Sequence, residues 1–333
     1  MKVAIVKLSA MGDIIHAMVA LQFIKRYAPQ SQIDWIVEES FTGVLENNPD
    51  IHTILPIQLK ALKTEKRKIF SEIKKVRRYA EAEYDIVIDA QGLIKSAITA
   101  KLLSGRVLWG FSRHSIREGI ASFFYQKCVE ISYASNTIDR NIKVLSEPFG
   151  FHISSEEVIT KAPFLFYKNE DKIIYDYLSK DEKNIVFVIG STWASRNYPK
   201  EGFAKVAKGL KENILIVWGN QEEKAWAEWI AQSSSNVKVL PRVDLNTLKA
   251  LIAQVDLLIG NDTGPTHMAW GLNVPSITLF GPTPVSRVYQ TPINHVIKSD
   301  SKVNPYRLDK NDFSIQNIDS DEIIKMAEQL LNK

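Results

Sequence analysis

The sequence has almost no cysteine and no long apolar run. Its lone cysteine among 333 residues is Cys128, so an intrachain disulfide is excluded and a reducing compartment is expected. No apolar stretch approaches the roughly 20 residues that a membrane-spanning helix needs. The segment Met1–Lys7 predicts a strand and is too short and too soon interrupted for a signal peptide. These absences predict a soluble, cytoplasmic protein.

Several familiar signatures are missing as well. The first strand-to-helix loop, Leu8–His16, lacks the G-x-G-x-x-G fingerprint of dinucleotide-binding folds, which argues against a dehydrogenase. There is no Walker A sequence, no G-x-S-x-G elbow and no Cys/His cluster with metal-ligand spacing. We therefore expect neither a metal nor another cofactor. The basic regions lack interleaved aromatics, so a nucleic-acid partner is not expected.

What the chain does have is a regular alternation of strands and helices. Its 45% hydrophobic and 24% charged residues are ordinary for a globular protein, and its length suits two domains. The alternation predicts parallel sheets. In the first half the predicted strands are Val3–Leu8, Ile33–Val37, His52–Leu55, Tyr84–Asp89 and Val107–Phe111, with helices starting near Asp13, Phe41, Lys60 and Leu93. In the second half they are Asn184–Ile189, Ile214–Trp218, Val237–Leu240, Val255–Gly260 and Ser276–Phe280, with helices starting near Lys200, Gln221, Asn246 and Thr266.

A hinge is predicted where periodicity weakens, between Ser154 and Lys172. The predicted domains are residues 1–160 and 173–318, both Rossmann-like. A final amphipathic helix, Ser320–Leu331, has Asp319 as its cap, and the segment 319–333 is a candidate for packing back toward the first domain. The predicted fold class is α/β, with parallel sheets in two domains that face a cleft between them.

The most informative segment runs from Leu258 to Gly271. It predicts a strand, a tight loop and a helix, and unpaired backbone N–H groups at a helix N-terminus favour an anion. Gly264 allows close backbone approach. Polar groups there come from Asp262, Thr263, Thr266 and His267. Together with the neighbouring loop Phe280–Thr283 this predicts a diphosphate site. The alternative is that Asp262 and Thr263 only cap the helix while His267 packs beneath it.

Two further loops of the second half carry suitable side chains. Ser191 and Thr192 offer hydroxyl groups, and Arg196 offers a planar fork for phosphate oxygens. Such a group would stabilise the negative charge that builds on a leaving nucleoside diphosphate. The alternative is an ordinary surface arginine. Glu222 and Glu223 both follow the next strand, and either carboxylate suits ribose hydroxyls.

In the first half, one carboxylate stands in the first strand-to-helix loop. Asp13 is either a helix cap or a general base directed at a substrate bound between the domains. Polar and basic residues that follow later strands are Gln91, Lys95, Arg113 and Arg117.

A basic segment extends from Lys60 to Arg78. It holds nine lysines and arginines, among them Lys63, against Glu65 and Glu72. Its apolar residues recur at near-helical spacing, which predicts a basic amphipathic helix suited to an anionic surface or substrate. The alternative is a solvated helix face.

These motifs resemble the ADP-heptose:lipopolysaccharide heptosyltransferases, and the resemblance runs nearly end to end. The matching segments are Val6–Asp13, Asp34–Glu39, Val87–Ala97, Ala121–Tyr125, Trp218–Gly219 and Asn261–His267. The Asp-Thr-Gly-x-x-His segment marks the wider family. The Asp89–Gly92 segment, Asp-Ala-Gln-Gly, points to members that add the first heptose.

The resemblance implies a metal-independent, inverting GT-B enzyme. Such an enzyme moves L-glycero-D-manno-heptose from ADP-heptose to Kdo of Kdo2-lipid A in lipopolysaccharide inner-core synthesis. It implies that Asp13 is the base. It also implies donor contacts from Ser191, Thr192, Glu223, Asp262, Thr263, Gly264 and His267. Arg196 stands where close relatives carry lysine, and a planar fork differs from a point ammonium in geometry.

The resemblance further implies an anionic lipid acceptor. Lipid A phosphates and Kdo carboxylates would meet Lys60, Lys63, Gln91, Lys95, Arg113 and Arg117. The expected location is peripheral, on the anionic cytoplasmic face of the inner membrane. Three other functions remain open: transfer to heptose, as by a second heptosyltransferase; a nucleotide-sugar epimerase or hydrolase; and a non-catalytic protein that binds a nucleotide sugar.

Overall fold

A computed structural model describes residues 1–61 and 64–332. The chain forms two compact units, Met1–Phe166 and Tyr167–Lys333. The boundary lies inside the segment 154–172, where the sequence loses its periodicity.

The first unit is a six-stranded, wholly parallel sheet with helices. Its strands are β1 (Lys2–Val6), β2 (Gln32–Glu38), β3 (Thr53–Ile57), β4 (Ile86–Asp89), β5 (Val107–Phe111) and β6 (Lys127–Val129), in the order β3-β2-β1-β4-β5-β6. Its helices are α1 (Met11–Tyr27), α2 (Thr42–Leu45), α3 (Ile69–Tyr79), α4 (Ile94–Leu102), α5 (Thr137–Ser146) and α6 (Ser155–Ile159). Strand β1 is buried from its second residue onward, as expected for a parallel sheet covered on both faces.

The second unit repeats this design. Its strands are β7 (Asn184–Val188), β8 (Asn213–Val217), β9 (Val237–Val239), β10 (Leu257–Asn261), β11 (Ser276–Phe280) and β12 (Asn294–Lys298), in the order β12-β11-β10-β7-β8-β9. Its helices are α7 (Lys200–Leu210), α8 (Gln221–Ser233), α9 (Leu245–Ile252), α10 (Gly264–Leu272) and α11 (Ser320–Leu331). The core includes Ile185, Phe187, Phe203, Ile216 and Ile259.

Both sheets place their first and fourth strands side by side. In the first unit Val6 of β1 pairs with Asp89 of β4, and in the second Val188 of β7 pairs with Gly260 of β10. The strand order reverses at these pairs, and in open parallel sheets ligands bind beyond the carboxyl ends of the strands at such a reversal. The loops after β1 and β4, and those after β7 and β10, are therefore where a site is expected.

The strand prediction fails at one edge of each sheet. Strands β6 and β12 were not predicted, because β6 has three residues and β12, Asn-His-Val-Ile-Lys, mixes polar and apolar residues. The predicted helix near Lys60 begins instead at Ile69, after a short 3-10 turn. Backbone N–H groups of Gln58 and Lys60 donate to the carboxylates of Glu72 and Glu38, both at 2.8 Å, which ties this stretch to α3 and to the end of β2.

The last helix, α11, matches its predicted bounds, and Asp319 caps it by accepting from the Asp321 backbone N–H at 3.0 Å. It packs against α7, β10 and β11 of the second unit. The expectation that the segment 319–333 packs back toward the first unit stays a prediction.

Candidate active site

Asn261, the last residue of β10, joins the loops at the strand reversal of the second unit. Its Oδ1 accepts from the Tyr198 backbone N–H at 3.0 Å, and its Nδ2 donates to the Ile189 carbonyl at 2.7 Å. The side chain is fully buried. One amide thereby fixes the loop after β7 relative to the loop after β10.

Asp262 is the centre of a buried ionic network. Its Oδ2 accepts from Arg196 Nη2 at 2.9 Å and from Thr283 Oγ1 at 2.8 Å, while His267 Nε2 lies 3.1 Å from Oδ1. Arg287 Nη1 is 4.0 Å from Oδ2. Asp262 is only 1% exposed. Its buried carboxylate therefore orients the side chains of Arg196 and Arg287 and is itself screened from solvent.

The charges around Asp262 keep it ionised. Burial alone would raise its pKa, but Arg196, the hydrogen bond from His267, and Arg287 together hold the pKa well below its usual range. The same attraction orients Arg196, whose side chain is 12% exposed. Arg196 is therefore not the ordinary surface arginine of the alternative interpretation.

Helix α10 begins directly after Asp262, with Thr263 as its N-cap residue. Thr263 has extended backbone angles and makes no side-chain capping hydrogen bond. Thr266 Oγ1 instead donates back to the Asn261 carbonyl at 2.7 Å. The first-turn N–H groups thus receive no cap from Thr263, and a helix end of this kind binds anions. Gly264 starts the helix, where a backbone without Cβ allows close approach.

The loop after β7 holds buried hydrogen-bonding capacity. Within the described part of the chain, Ser191 Oγ, Ser195 Oγ and Asn197 Oδ1 are buried and lack a hydrogen-bond partner. Thr192 in the same loop is exposed. Buried polar atoms are normally satisfied, so these atoms are suited to a ligand. Ser195 and Asn197 were not predicted as site residues, although they flank the predicted Arg196.

Trp193 brings a second cation to this loop. Its ring centroid lies 5.6 Å from the Arg196 guanidinium carbon and 4.8 Å from Lys310 Nζ. The sequence carried no signal for Lys310, because it lies more than a hundred residues away in an irregular segment.

Glu223 and Glu222 are distinguished by position. Glu223 accepts from the Gly219 backbone N–H at 2.6 Å and from Asn220 Nδ2 at 2.8 Å. A Cβ on Gly190 would lie 2.1 Å from its carboxyl carbon, so this carboxylate rests against the end of β7. Glu222 is exposed at the start of α8. Glu223 is therefore the one of the two that reaches the strand-end loops.

In the first unit a buried carboxylate occupies the matching strand. Asp89, fully buried at the end of β4, accepts from the backbone N–H groups of Gln91 (2.9 Å) and Gly92 (3.2 Å) through Oδ1. Its Oδ2 accepts from Ser96 Oγ at 2.8 Å and the Tyr125 hydroxyl at 2.7 Å. Burial raises the pKa of Asp89, and these hydrogen bonds offset part of the rise.

Gln91, whose backbone N–H donates to Asp89, also contacts the loop that carries Asp13. Its Oε1 accepts from the backbone N–H groups of Leu8 (3.1 Å) and Ser9 (3.0 Å). Asp13, partly exposed in the first turn of α1, accepts from the Ala10 N–H at 3.2 Å through Oδ2. Asp13 therefore caps α1 through Oδ2, as the capping alternative expected. No described hydrogen bond uses Oδ1. A capping role through one oxygen does not conflict with a role as base through the other.

Lys7 is a buried cation behind the same loop. It is 5% exposed, and its Nζ donates to the Ala90 carbonyl at 2.8 Å and to Asn141 Oδ1 at 2.9 Å. Burial lowers its pKa, Asp13 opposes that shift, and Arg140 adds to it. Lys7 was not predicted as a site residue, because a lysine inside a strand end carries no sequence signal of burial.

The predicted acceptor residues are mostly on the surface. Lys95, Arg113 and Arg117 are exposed. Lys60 is also exposed, with Nζ 4.0 Å from the Phe41 ring centroid and 3.3 Å from Ser40 Oγ. The remaining predicted acceptor residue, Lys63, lies outside the described residues. Of this set, only Gln91 is tied directly to the loop of Asp13.

Two general findings concern metals and membranes. Among residues 1–61 and 64–332, no group of three or more His, Cys, Asp or Glu side chains is arranged to hold a metal ion. In the same described part of the chain, no helix is both long and apolar enough to cross a bilayer.

Two doubly wound parallel-sheet units, with a helix N-terminus beside a mostly buried arginine in the second, have the architecture of the GT-B glycosyltransferases. A profile of glycosyltransferase family 9 (heptosyltransferase) matches residues 72–310. Lipopolysaccharide heptosyltransferase 1 of Campylobacter coli is 36% identical over 99% of both chains. The Escherichia coli K12 protein of that name is 28% identical, over 85% of this chain and 88% of its own. The chain therefore belongs to glycosyltransferase family 9, the heptosyltransferases.

Solved structures agree on the fold. Escherichia coli heptosyltransferase WaaC with ADP superposes with a TM-score of 0.82 at 24% identity, covering 99% of this chain and 100% of that one. The same enzyme with ADP-2-deoxy-2-fluoro heptose gives a TM-score of 0.80, covering 99% of both chains. The predicted fold class, two Rossmann-like units of the GT-B type, is confirmed.

The Asp262 network makes stability depend on pH. Asp262→Asn leaves two arginines beside a neutral group, and removing one partner of a buried pair costs about 3–5 kcal/mol. The folded pKa lies below the unfolded value of about 3.9. The carboxylate's contribution is therefore present above that value and is lost as the pH falls toward the folded pKa. We expect the stability difference between the wild type and the variant to be full at neutral pH and to narrow below about pH 4.

This is measured by urea unfolding of both proteins at a series of pH values. Asp244→Asn serves as the control, because exposed Asp244 caps α9 by accepting from the Thr247 N–H at 2.7 Å and asparagine caps equally well. A stability difference for Asp262→Asn that is small at neutral pH, or the same at every pH, would contradict the assignment.

Proposed function

We propose that the protein transfers L-glycero-D-manno-heptose from ADP-heptose to Kdo of Kdo2-lipid A, which adds the first heptose of the lipopolysaccharide inner core. The observation that carries the proposal is the 36% identity, over 99% of both chains, to a lipopolysaccharide heptosyltransferase 1. The side chains at the strand-end loops of each unit support it.

The second unit would bind the donor. The diphosphate of ADP-heptose would lie at the N-terminus of α10, which carries about half a positive charge, next to Arg196. Ser191, Thr192 and Thr263 would add hydroxyl donors, and Gly264 would allow the phosphates to approach the backbone. Glu223 would accept hydrogen bonds from the ribose. Asp262 and His267 would act by holding these groups in place, since both are buried.

The first unit would supply the base. Asp13 would take the proton from a hydroxyl of Kdo as that oxygen forms a bond to the anomeric carbon of heptose. The bond from that carbon to the β-phosphate oxygen breaks, and ADP leaves with the electron pair. A single displacement of this kind inverts the anomeric configuration. Arg196 and the helix end would stabilise the charge that develops on ADP, and no metal is needed for that task.

The acceptor is an anionic lipid. Its phosphates and Kdo carboxylates would be matched by the exposed cations Lys60, Lys95, Arg113 and Arg117. Lys63 belongs to the same proposed set by sequence. We propose a peripheral location on the anionic cytoplasmic face of the inner membrane, with no nucleic-acid partner.

The function is tested by following ADP release from ADP-heptose, with and without Kdo2-lipid A, together with mass spectrometry of the lipid. Release that requires the acceptor and adds one heptose supports the proposal, and persistence of that release in EDTA supports metal independence. Release without acceptor would indicate a hydrolase. Release only with a lipid that already carries heptose would indicate a later transfer step, and tight ADP binding without any release would indicate a binding protein.

Asp13→Asn tests the base. The substitution keeps the hydrogen bond from Ala10 within reach of an oxygen but removes the proton acceptor. We expect kcat to fall by about 10²–10⁴, the usual loss for a missing general base. ADP affinity, measured by calorimetry, should stay unchanged, because the proposed donor site lies in the other unit. Turnover close to that of the wild type would remove Asp13 from this role.

Two substitutions of Gln91 separate the role of its amide oxygen from that of its amide nitrogen. Its Oε1 is already bonded to the Leu8 and Ser9 backbone, whereas contact with the acceptor would require its Nε2. Gln91→Met removes both ends and should lower kcat by about tenfold or more with little change in KM, because a small misplacement of a reacting group is costly. Gln91→Glu keeps an acceptor for the backbone and should retain most of kcat.

Gln91→Glu also adds a negative charge near Asp13, which disfavours a second ionised carboxylate, so the acidic limb of the rate profile should move to higher pH. The opposite result would be that both variants raise KM and leave kcat unchanged. It would show that the Gln91 amide contacts the acceptor, as the sequence predicted, and does not act by holding the Leu8–Ser9 backbone in place.

A further inference from the structure

Exposed apolar side chains are concentrated on one part of the first unit. Among the described residues, fourteen large hydrophobic side chains are exposed, and six of these lie on three elements: Ile69 and Phe70 on α3, Ile94 and Ile98 on α4, and Ile120 and Phe123 on the 3-10 segment Gly119–Phe124. Helix α4 contacts both of the other elements. Such clustering marks an interaction surface, whereas isolated exposed apolar residues are ordinary.

The most exposed members are large. Phe70 is 78% exposed, Phe123 is 76% exposed and Ile120 is 63% exposed. All three therefore stand clear of the unit's own core. We call the six residues the α3–α4 surface.

Helical register puts cations beside these apolar groups. On α3, Phe70, Lys74 and Arg77 follow one another at i, i+4 and i+7, which places them in one stripe. On α4, Ile94, Ile98 and Lys101 repeat the same spacing. The two helices thus present the same order of groups, bulky apolar side chains first and basic side chains one to two turns later. All three of these basic residues are exposed.

The charge around the α3–α4 surface is predominantly positive. Further exposed cations on or next to its elements are Lys66, Arg67, Arg78, Lys95, Arg113 and Arg117. The nearby acids are largely engaged: Glu65 pairs with Lys68 at 3.0 Å, Glu118 accepts from the Ile94 N–H at 2.8 Å, and buried Glu72 accepts from the Gln58 N–H at 2.8 Å. Glu81 and Glu83 are exposed after α3.

We propose that the α3–α4 surface docks on an anionic lipid bilayer, with its phenylalanine and isoleucine side chains entering the boundary between headgroups and acyl chains. The flanking lysines and arginines contact lipid phosphates, as in other interfacial helices that combine an apolar side with basic residues. The occupant is assigned by charge complementarity, because apolar groups ringed by cations fit a negatively charged membrane. The proposal rests on the proposed function in one respect only, that a lipid-linked acceptor is reached at a membrane.

The test is sedimentation of the full-length protein with vesicles, without nucleotide or lipopolysaccharide. Vesicles of phosphatidylcholine alone are compared with vesicles that also contain phosphatidylglycerol. We expect binding to the anionic vesicles only. Phe70→Ser/Phe123→Ser should weaken that binding by about tenfold or more and leave a weak remainder that added salt abolishes. Lys74→Gln/Arg77→Gln should weaken binding at low salt.

Trp229→Ser/Phe313→Ser is the matched control, because these side chains are 38% and 43% exposed on the second unit. It should bind as the wild type does. Circular dichroism establishes that each variant is folded. Anionic-vesicle binding as strong as that of the wild type in Phe70→Ser/Phe123→Ser would overturn the proposal. So would a wild-type dimer that this variant splits without vesicles, since the surface would then join two copies of the chain.

ADP release with a water-soluble, acyl-free Kdo acceptor separates this proposal from the proposed function. The Phe70→Ser/Phe123→Ser variant should retain that activity while losing vesicle binding. If the wild type releases no ADP with any acceptor yet binds anionic vesicles through these residues, the proposed function fails and the docking surface stands.

Discussion

A buried carboxylate that follows the fourth strand of the second sheet organises most of that unit's candidate site. Asp262 receives hydrogen bonds from Arg196 and Thr283 and pairs with His267, which come from three different segments. Without its charge, Arg196 would lose the buried carboxylate to which it donates beside α10. Desolvating one carboxylate is costly, but two arginines and a histidine offset that cost. The result is a cation held in place before any ligand arrives, which is the condition for electrostatic stabilisation without reorganisation.

The first unit has a buried aspartate at nearly the same topological position but puts it to a different use. Asp89 ends β4 as Asp262 follows β10, yet its partners are neutral: two backbone amides and the hydroxyls of Ser96 and Tyr125. Without a cation in contact, burial dominates and the pKa of Asp89 rises, whereas that of Asp262 falls. Nearly the same fold position therefore holds a network of charged side chains in the second unit and a network of neutral hydrogen bonds in the first.

The sequence predicted the central strands because they are continuous apolar runs buried on both faces, as the five residues of β7 and of β10 are. It missed the edge strands β6 and β12 because β6 has only three residues and β12 is partly exposed and mixes polar with apolar residues. The grouping of loop residues was predictable where loop chemistry is local, as at Asp262 and Arg196, which the structure brings together. It was not predictable where the contact joins distant segments, as for Lys310 and Trp193, or where the hydrogen-bond partners of a side chain decide, as for Gln91. The residues alone left Glu222 and Glu223 open, and the resemblance implied Glu223, which is the one of the two that contacts Gly219.

The arginine at position 196 has a physical advantage in this setting. An ammonium group is a single compact charge, so its hydrogen bonds to a carboxylate and to a ligand all come from one nitrogen. A guanidinium has several N–H groups in a planar fork. Arg196 donates to Asp262 through Nη2, which is at one end of that fork. The nearby Trp193 ring supports its planar face, and Lys310 contributes a second positive charge on the same ring. The local charge is therefore positive although one carboxylate is buried there, because three cationic side chains surround the single charge of Asp262. They are those of Arg196, Arg287 and Lys310.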